Sequence, residues 1–391
     1  MPGTRASRAP IAGSASTVVF TTVLTRGPVS RVDIARETGL SSAAVTKAAR
    51  PFIEAGYLEE RASGERTSPG AGRPANPLAI VPSREFFLGV KITNDDLIGV
   101  VCDLQAEIRT ARHHILKAQD VDHVVTALAE LVAELLAESD AYPRLTHCLG
   151  VAVSGDVDRA SGLVRYSPFL RWRDVPLADR LEAATGLSVT LENDVKALTV
   201  AEHWFGEGVG ANSFALVTVG TGIGCGLFLN GGLVAGAHGV AGEIGHVTVG
   251  DGGPICHCGG TGCVESIAST YAILAQARLA TEEPDLTMEE AVARARSGEV
   301  SLRGVFARAG HAIGLGLAAV ANLVGPERIV VSGEGLAAYD LFEDQIRETF
   351  ARQAFGAAAE CPLTIRPLPF EEWARGAAAV AIQNLVRLSS S

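Results

Sequence analysis

His246 is followed after nine residues by Cys256, His257 and Cys258, and after four more by Cys263. One imidazole and three thiolates at this spacing are the donor set of a closed tetrahedral zinc site. Gly259, Gly260 and Gly262 let the backbone wrap tightly around the ion. Four protein ligands leave no open position, so the expected zinc is structural rather than catalytic. His257 is a rival ligand, but between two converging cysteines it is expected to be solvated. Three of the chain's seven cysteines crowd into eight residues, which favours metal over disulfides. Cys102, Cys148, Cys225 and Cys361 lie in apolar, strand-like surroundings and read as core thiols.

Carboxylates surround this knot: Glu192-Asn193-Asp194 at a strand end, Glu243 three residues before His246, and Glu265 two after Cys263. Glu243 and His246 would share one face of a helical turn. Asn, Asp, Glu and His converging on a pocket make bidentate partners for hydroxyls, suited to a sugar. The plainer alternative is a set of solvated acids beside a metal loop. The loop Gly220-Thr221-Gly222-Ile223-Gly224 joins two apolar strands, and its bare amides would let phosphate oxygens approach. An ordinary hairpin turn has the same pattern.

The elements that must carry these residues start with a front module. Residues 17 to 62 hold three helical patterns, roughly Thr17 to Thr25, Ser30 to Thr38 and Ser41 to Ala55. Ser30 with Asp33 forms a capping pair, Gly39-Leu40 a tight turn, Ser41 a cap, and Gly56 a stop. This is helix-turn-helix spacing. Val45, Ala49, Phe52 and Ile53 form the buried stripe of the third helix. Ser41, Ser42, Thr46, Lys47 and Arg50 are left on a short, polar, cationic face, as a major-groove reader requires. Pro51 predicts a kink. The following stretch reads as a strand, a Gly/Pro/Ser-rich tip and a return strand, which is a wing. Arg61, Arg66 and Arg73 there could reach DNA phosphates or the minor groove. A small helical bundle for protein contact is the alternative reading.

From Phe86 the pattern becomes strand, turn, strand (FFLGVKIT, DLIGVVCDL, EIRTARHHIL), then a helix over 121 to 138. CLGVAVSG and VTLENDV follow, and FALVTVGTGIGCGLFLNGGLV with RIVVSGEGL repeats the scheme. A hairpin meander followed by alternating helices and strands, twice, predicts a mixed α/β sheet in two lobes. The expected domains are a disordered arm over 1–16, a winged helix-turn-helix over 17–82, lobe I over 83–195 completed by a C-terminal helix at 374–388, and lobe II with the zinc site over 196–373.

The chain has 391 residues, 47% of them hydrophobic and 20% charged, which excludes a disordered or fibrous protein. Its net charge of −11 is divided unevenly. The first 84 residues carry 11 Lys/Arg against 6 Asp/Glu, and the remainder 22 against 38. A basic front on an acidic body fits a polyanion reader coupled to something else. No apolar run reaches the length of a membrane span, and the opening residues lack the apolar region of a signal peptide, so no membrane partner and a cytoplasmic location are expected.

At this point the sequence resembles the ROK family of repressors and sugar kinases. Two stretches carry the likeness, AGEIGHVTVGDGGPICHCGGTGCVE and VTVGTGIGCGLFLNGGLV. The resemblance implies an actin-like, ribonuclease-H-like ATPase-type fold after the winged helix-turn-helix. It implies zinc on His246, Cys256, Cys258 and Cys263, and sugar hydroxyls on Gly155, Asn193, Asp194, Glu243, His246 and Glu265. In the family's kinases the residue at Asp194 is a general base.

Two departures bear on function. Where the kinases carry an Asp-x-Gly-Gly-Thr phosphate loop, this chain reads Gly89-Val90-Lys91-Ile92-Thr93-Asn94-Asp95, and Lys91 replaces the carboxylate. Phosphoryl transfer needs positioned Mg²⁺ and close backbone approach, so ATP and Mg²⁺ are not expected cofactors, no catalytic residue is expected, and Gly220, Thr221, Gly222 and Gly224 become a vestigial phosphate loop. In Ser167-Pro168-Phe169-Leu170-Arg171-Trp172, many relatives carry Asn at the place of Phe169, which leaves the sugar open. The expected protein is a sugar-responsive transcriptional regulator in which sugar alters lobe closure and the spacing of two DNA modules. A palindromic operator, a sugar effector and a homodimer or homotetramer go with it. The alternative is an ATP-dependent, hexokinase-type sugar kinase using Asp194.

Overall fold

The computed structural model of the chain describes residues 9–11, 13–62, 76–250 and 252–387. Three helices open it: α1 (Ser14–Arg26), α2 (Arg31–Thr38) and α3 (Ser42–Glu54). Ser30 Oγ accepts the Asp33 N–H at 3.1 Å and Ser41 Oγ accepts that of Ala44 at 3.2 Å, so the expected caps start α2 and α3. Where a kink is expected at Pro51, α3 runs as one helix to Glu54. A proline in the last turn costs only the bond that Lys47 O would have accepted. The first helix also begins earlier than the pattern places it. Ser14 to Ser16 form its opening turn, and Ala9 and Ile11 are buried, so the arm expected over 1–16 is at least partly structured; residues 1–8 lie outside the described ones.

β1 (Leu58–Glu60) and β2 (Leu78–Ile80) pair antiparallel as the arms of the wing. Arg61 is exposed and paired with Glu59 at 3.0 Å, while Arg66 and Arg73 lie outside the described residues.

Then come β3 (Phe86–Ile92), β4 (Asp96–Asp103), β5 (Ile108–Ile115), α4 (Val121–Ala137), α5 (Tyr142–Leu145), β6 (Thr146–Val153), β7 (Asp156–Asp158), β8 (Leu163–Ser167), β9 (Trp172–Val175), α6 (Leu177–Thr185), β10 (Ser188–Asn193) and α7 (Asp194–Phe205). The second part holds β11 (Ser213–Val219), β12 (Ile223–Leu229), β13 (Gly232–Leu233), α8 (Val264–Ala268), α9 (Thr270–Thr281), α10 (Met288–Arg296), α11 (Val300–Val324), β14 (Ile329–Ser332), α12 (Glu343–Gln353) and β15 (Leu363–Arg366), before α13 (Glu371–Arg387) closes the chain. The strand order is β10-β6-β3-β4-β5 in one sheet and β13-β12-β11-β14-β15 in the other. In each, three antiparallel strands precede two parallel ones, so the repeat read from the sequence is present twice.

Two compact units result: one runs to Val209 and regains the chain from Glu371, the other is Gly210–Phe370. The boundaries therefore differ from those expected at 195/196 and 373/374. α7 stays with the first unit because it packs on α13 so closely that a Cβ at Gly376 would stand 2.9 Å from Leu198 N.

α13 lies on β3 and β6 with nothing between the backbones. A Cβ at Gly89 would be 2.0 Å from Ala374 O, and one at Gly150 would be 1.9 Å from Ala377 O. Further along, Ala378 and Ile382 enter one apolar cluster with Phe87 and Ile98 of the sheet and with Phe20, Phe52 and Tyr57 of the front module. The Tyr57 hydroxyl donates to the buried Glu85 carboxylate at 2.7 Å, and Arg84 Nε to Ala55 O at 2.8 Å. The helix-turn-helix thus shares its core with the first sheet.

In the second unit α11 is the one described helix long and apolar enough to cross a membrane, and most of its apolar stretch is buried in that unit's core.

Gly150→Ala should force α13 off the sheet and cost at least about 1–3 kcal/mol, the usual range for overpacking. A thermal melt of the purified variant checks this, and an unchanged midpoint would contradict the packing.

Candidate functional site

His246, Cys256, Cys258 and Cys263 bring one ligand atom each within 4.8 Å of one another. Cys256 Sγ is 3.6 Å from His246 Nδ1, and Cys258 Sγ is 3.8 Å from Cys263 Sγ. A tetrahedron with zinc–sulfur bonds of about 2.3 Å and zinc–nitrogen bonds of about 2.0 Å has edges of about 3.8 and 3.5 Å. The donors therefore fit a four-coordinate ion that prefers thiolate and imidazole. The backbone makes the knuckle by pairing Cys256 N–H with Gly260 O at 2.8 Å and bridging Thr248 to Cys263. Gly262 is required there: its φ is +65°, and a Cβ would meet Gly250 O at 2.0 Å. Burial pushes the Cys256 thiol up to about 12, so an incoming ion has to displace its proton.

His257 is half-exposed, as expected for a solvated residue, but not unpartnered. Its Nδ1 lies 3.0 Å from Glu265 Oε1, and its ring stands edge-on to His246 at 5.1 Å. His246, His257 and Glu265 also cluster closely enough to share an ion. The other Glu265 oxygen accepts the Ile223 N–H at 2.9 Å, which fastens the knuckle to the hairpin at 220–224. Glu243 immediately precedes the single 3-10 turn Ile244–His246, a geometry that keeps positions i and i+3 on one side.

Gly155, Asn193 and Asp194 come together within the first unit. Asn193 caps α7, accepting from Lys196 N–H at 3.2 Å and donating to Gly155 O at 3.0 Å. Asp194 accepts from the Ser154 hydroxyl at 2.6 Å and from Val195 N–H at 2.9 Å. It also forms a buried ion pair with Lys91, whose ammonium donates to Ser154 Oγ at 3.0 Å and stands 5.6 Å from the Trp373 ring centre. Burial alone would push the Asp194 carboxyl up, but Lys91 and Ser154 outweigh it and hold the group below the usual carboxylate range. A carboxylate so stabilised is a poor proton acceptor. Lys91 in an otherwise apolar strand calls for a buried counter-charge, but spacing does not say which acid supplies it. Glu243, His246 and Glu265 belong to the second unit.

Gly220, Thr221 and Gly222 form the turn of a β11–β12 hairpin in which Val219 pairs with Ile223, and Gly224 already lies in the ladder opposite Thr218. On α3, Val45, Ala49 and Phe52 are buried, while Ser41, Ser42, Thr46, Lys47 and Arg50 are exposed, as the periodicity places them. Arg50 pairs with Glu54 at 2.7 Å, and the Thr46 hydroxyl donates to Ser42 O at 2.9 Å.

Removing Lys91 alone strands a buried charge. Lys91→Met should destabilise the first unit by about 3–5 kcal/mol, and Lys91→Met with Asp194→Asn should recover most of it. The folded Asp194 has the lower pKa, so the stability it contributes is present above about pH 4 and lost as pH falls further. Denaturant titrations at pH 7 and pH 3 check both statements: equal single and double variants, or a wild-type to Asp194→Asn difference undiminished between pH 7 and pH 3, would contradict them.

Comparison with known proteins agrees with this geometry. The family model described as "ROK family" matches residues 87–384. The DNA-binding transcriptional dual regulator NagC of Escherichia coli is 30% identical over 328 residues, 82% of this chain and 80% of its own. The xylose repressor of Caldicellulosiruptor bescii is 25% identical over 351 residues, 86% of this chain and 87% of its own. A solved ROK family transcriptional regulator, a homologue of the Escherichia coli Mlc protein, superposes with a TM-score of 0.81 at 26% identity, covering 96% of this chain and 97% of that one. A ROK family glucokinase from Streptomyces griseus, solved with glucose and AMPPNP, gives 0.67 at 28% identity over 76% of this chain and 99% of its own. The two repeated sheets are thus the lobes of the actin-like fold, and the chain belongs to the ROK family.

Proposed function

We propose that this protein is a sugar-responsive, DNA-binding transcriptional regulator acting as a repressor. The observation that carries the reading is the front module. The regulator structure matches 96% of the chain, helix-turn-helix included, whereas the glucokinase matches 76%. The kinase alternative is disfavoured by Asp194, whose carboxylate is held in a buried ion pair. Mg-ATP with any hexose should therefore yield no ADP.

In this reading Ser41, Ser42, Thr46, Lys47 and Arg50 of α3 face the major groove of an operator, with Arg73 of the wing on the backbone or minor groove. Gly155, Asn193 and Asp194 of the first unit and Glu243, His246 and Glu265 of the second bind sugar hydroxyls. Zinc on His246, Cys256, Cys258 and Cys263 is structural, fastening the segment that bears Glu243 and Glu265. Because one helix-turn-helix reads too few bases, the active species is a dimer or tetramer on a palindromic site. Sugar acts through a difference in its affinity for DNA-bound and free protein.

Selection of genomic fragments at about 150 mM salt, where non-specific phosphate binding is weak, tests the reading directly. Enrichment of a two-fold symmetric site whose occupancy changes with one sugar is expected, and no enrichment with any sugar would overturn it. Lys47→Ala with Arg50→Ala should weaken operator binding at least about tenfold while sugar affinity is unchanged. Equal DNA affinity would remove α3 as the reading helix.

Cys256→Ser should lose the metal and lower the melting temperature. One zinc per chain in that variant would move the fourth ligand to His257 or another residue.

A further inference from the structure

Two amides of the hairpin at 220–223 are engaged by carboxylates of the chain. Thr221 N–H donates to Glu334 Oε1 at 2.7 Å, and Ile223 N–H to Glu265 Oε2 at 2.9 Å. Gly220 N–H stays within the turn, on Gly222 O at 3.1 Å. The Glu334 carboxylate lies so tightly over Gly220 that a Cβ there would stand 2.1 Å from Oε1 and 2.5 Å from Oε2.

Glu334 reaches this place through the sheet. β11 and β14 are parallel neighbours, with Val217 beside Val331 and Thr218 beside Ser332, so both chains leave the sheet at the same edge. The chain turns out of β14 through Gly333, at φ +107°, where a Cβ would meet Val219 O at 2.4 Å. Two glycine turns are thereby stacked at the carboxyl ends of adjacent strands. Bare amides at such a strand edge receive the phosphoryl oxygens of ligands. A carboxylate and a phosphoryl oxygen make the same charge-assisted bond to an N–H, so one substitutes for the other.

We infer that Glu334 is the resident anion of a phosphate-class binding site in the second unit. It takes the Thr221 amide and covers Gly220, so with the side chain in place a phosphoryl group meets both its bulk and a like charge, and it enters when the side chain is removed. This masking is independent of Lys91, which belongs to the other unit, and goes beyond the regulator reading, since neither DNA nor sugar binding depends on it.

The test is calorimetric binding of Mg-ATP and of inorganic tripolyphosphate to the full-length protein. Wild type should show no saturable binding at millimolar ligand. Glu334→Ala should bind both at least about tenfold more tightly than wild type. Glu334→Gln keeps the bulk and an acceptor for Thr221 N–H, and should stay closed. Glu334→Ser serves the same purpose should the alanine variant lose its cooperative melt. Wild type binding either ligand as tightly as the open variants would overturn the proposal, as would folded Ala and Ser variants that bind neither. A gain for ATP without one for tripolyphosphate would place the affinity on the nucleoside and overturn the phosphate assignment.

Discussion

α13 meets β3 and β6 of the first unit backbone to backbone at two glycines. At Gly89 and Gly150 no side chain separates the helix carbonyls from β3 and β6, and Gly376 brings α7 close on another side. Such contacts admit only glycine, because any Cβ at these positions overlaps a backbone atom. The last element of the chain is thus pinned at the centre of the first unit, and its later turns supply Ala378, Ala381 and Ile382 to the core that also holds Phe20, Phe52 and Tyr57. The front module is therefore seated on the body by a shared apolar core, closed at its margin by the buried Tyr57–Glu85 bond. A DNA module fixed in this way changes its presentation only when the first unit does.

Charge decides what each unit can do chemically. In the first unit, the buried ammonium of Lys91 satisfies Asp194. Burying one charge without the other would be costly, so the pair is retained or lost as a whole. In the second unit, backbone amides that would suit an anion are satisfied by Glu334 and Glu265. Glu265 also meets His257, which links the hairpin to the thiolate knuckle. Ordering the knuckle with an ion therefore orders the carboxylate of Glu265 and the turn it holds.

Local spacing alone made much of this legible. The four candidate metal ligands lie within eighteen residues, and the short loops between them, rich in glycine, leave little freedom in how they meet. Ser30, Gly39 and Ser41 set the ends of α2 and α3 through bonds spanning three or four residues. The twice-repeated order of apolar strands follows from burial on both faces of a central sheet, which writes itself as continuous apolar runs. The cationic face of α3 followed from the 3.6-residue period, since Val45, Ala49 and Phe52 can be buried only if Thr46, Lys47 and Arg50 are not.

What the tertiary structure alone decided are pairings between distant residues. Lys91 and Asp194 are 103 positions apart and Thr221 and Glu334 are 113, and no period or motif connects them. They meet because parallel strands place their carboxyl ends at one edge of a sheet, whatever the length of chain between. The same holds for α7, which joins the first unit where Gly376 admits it to α13. Sequence by itself determined the elements and the cluster of His246 with three cysteines, whose interactions are short-range along the chain. Which charges are neutralised, and hence which chemistry is open, was decided by contacts that exist only once the sheets have formed.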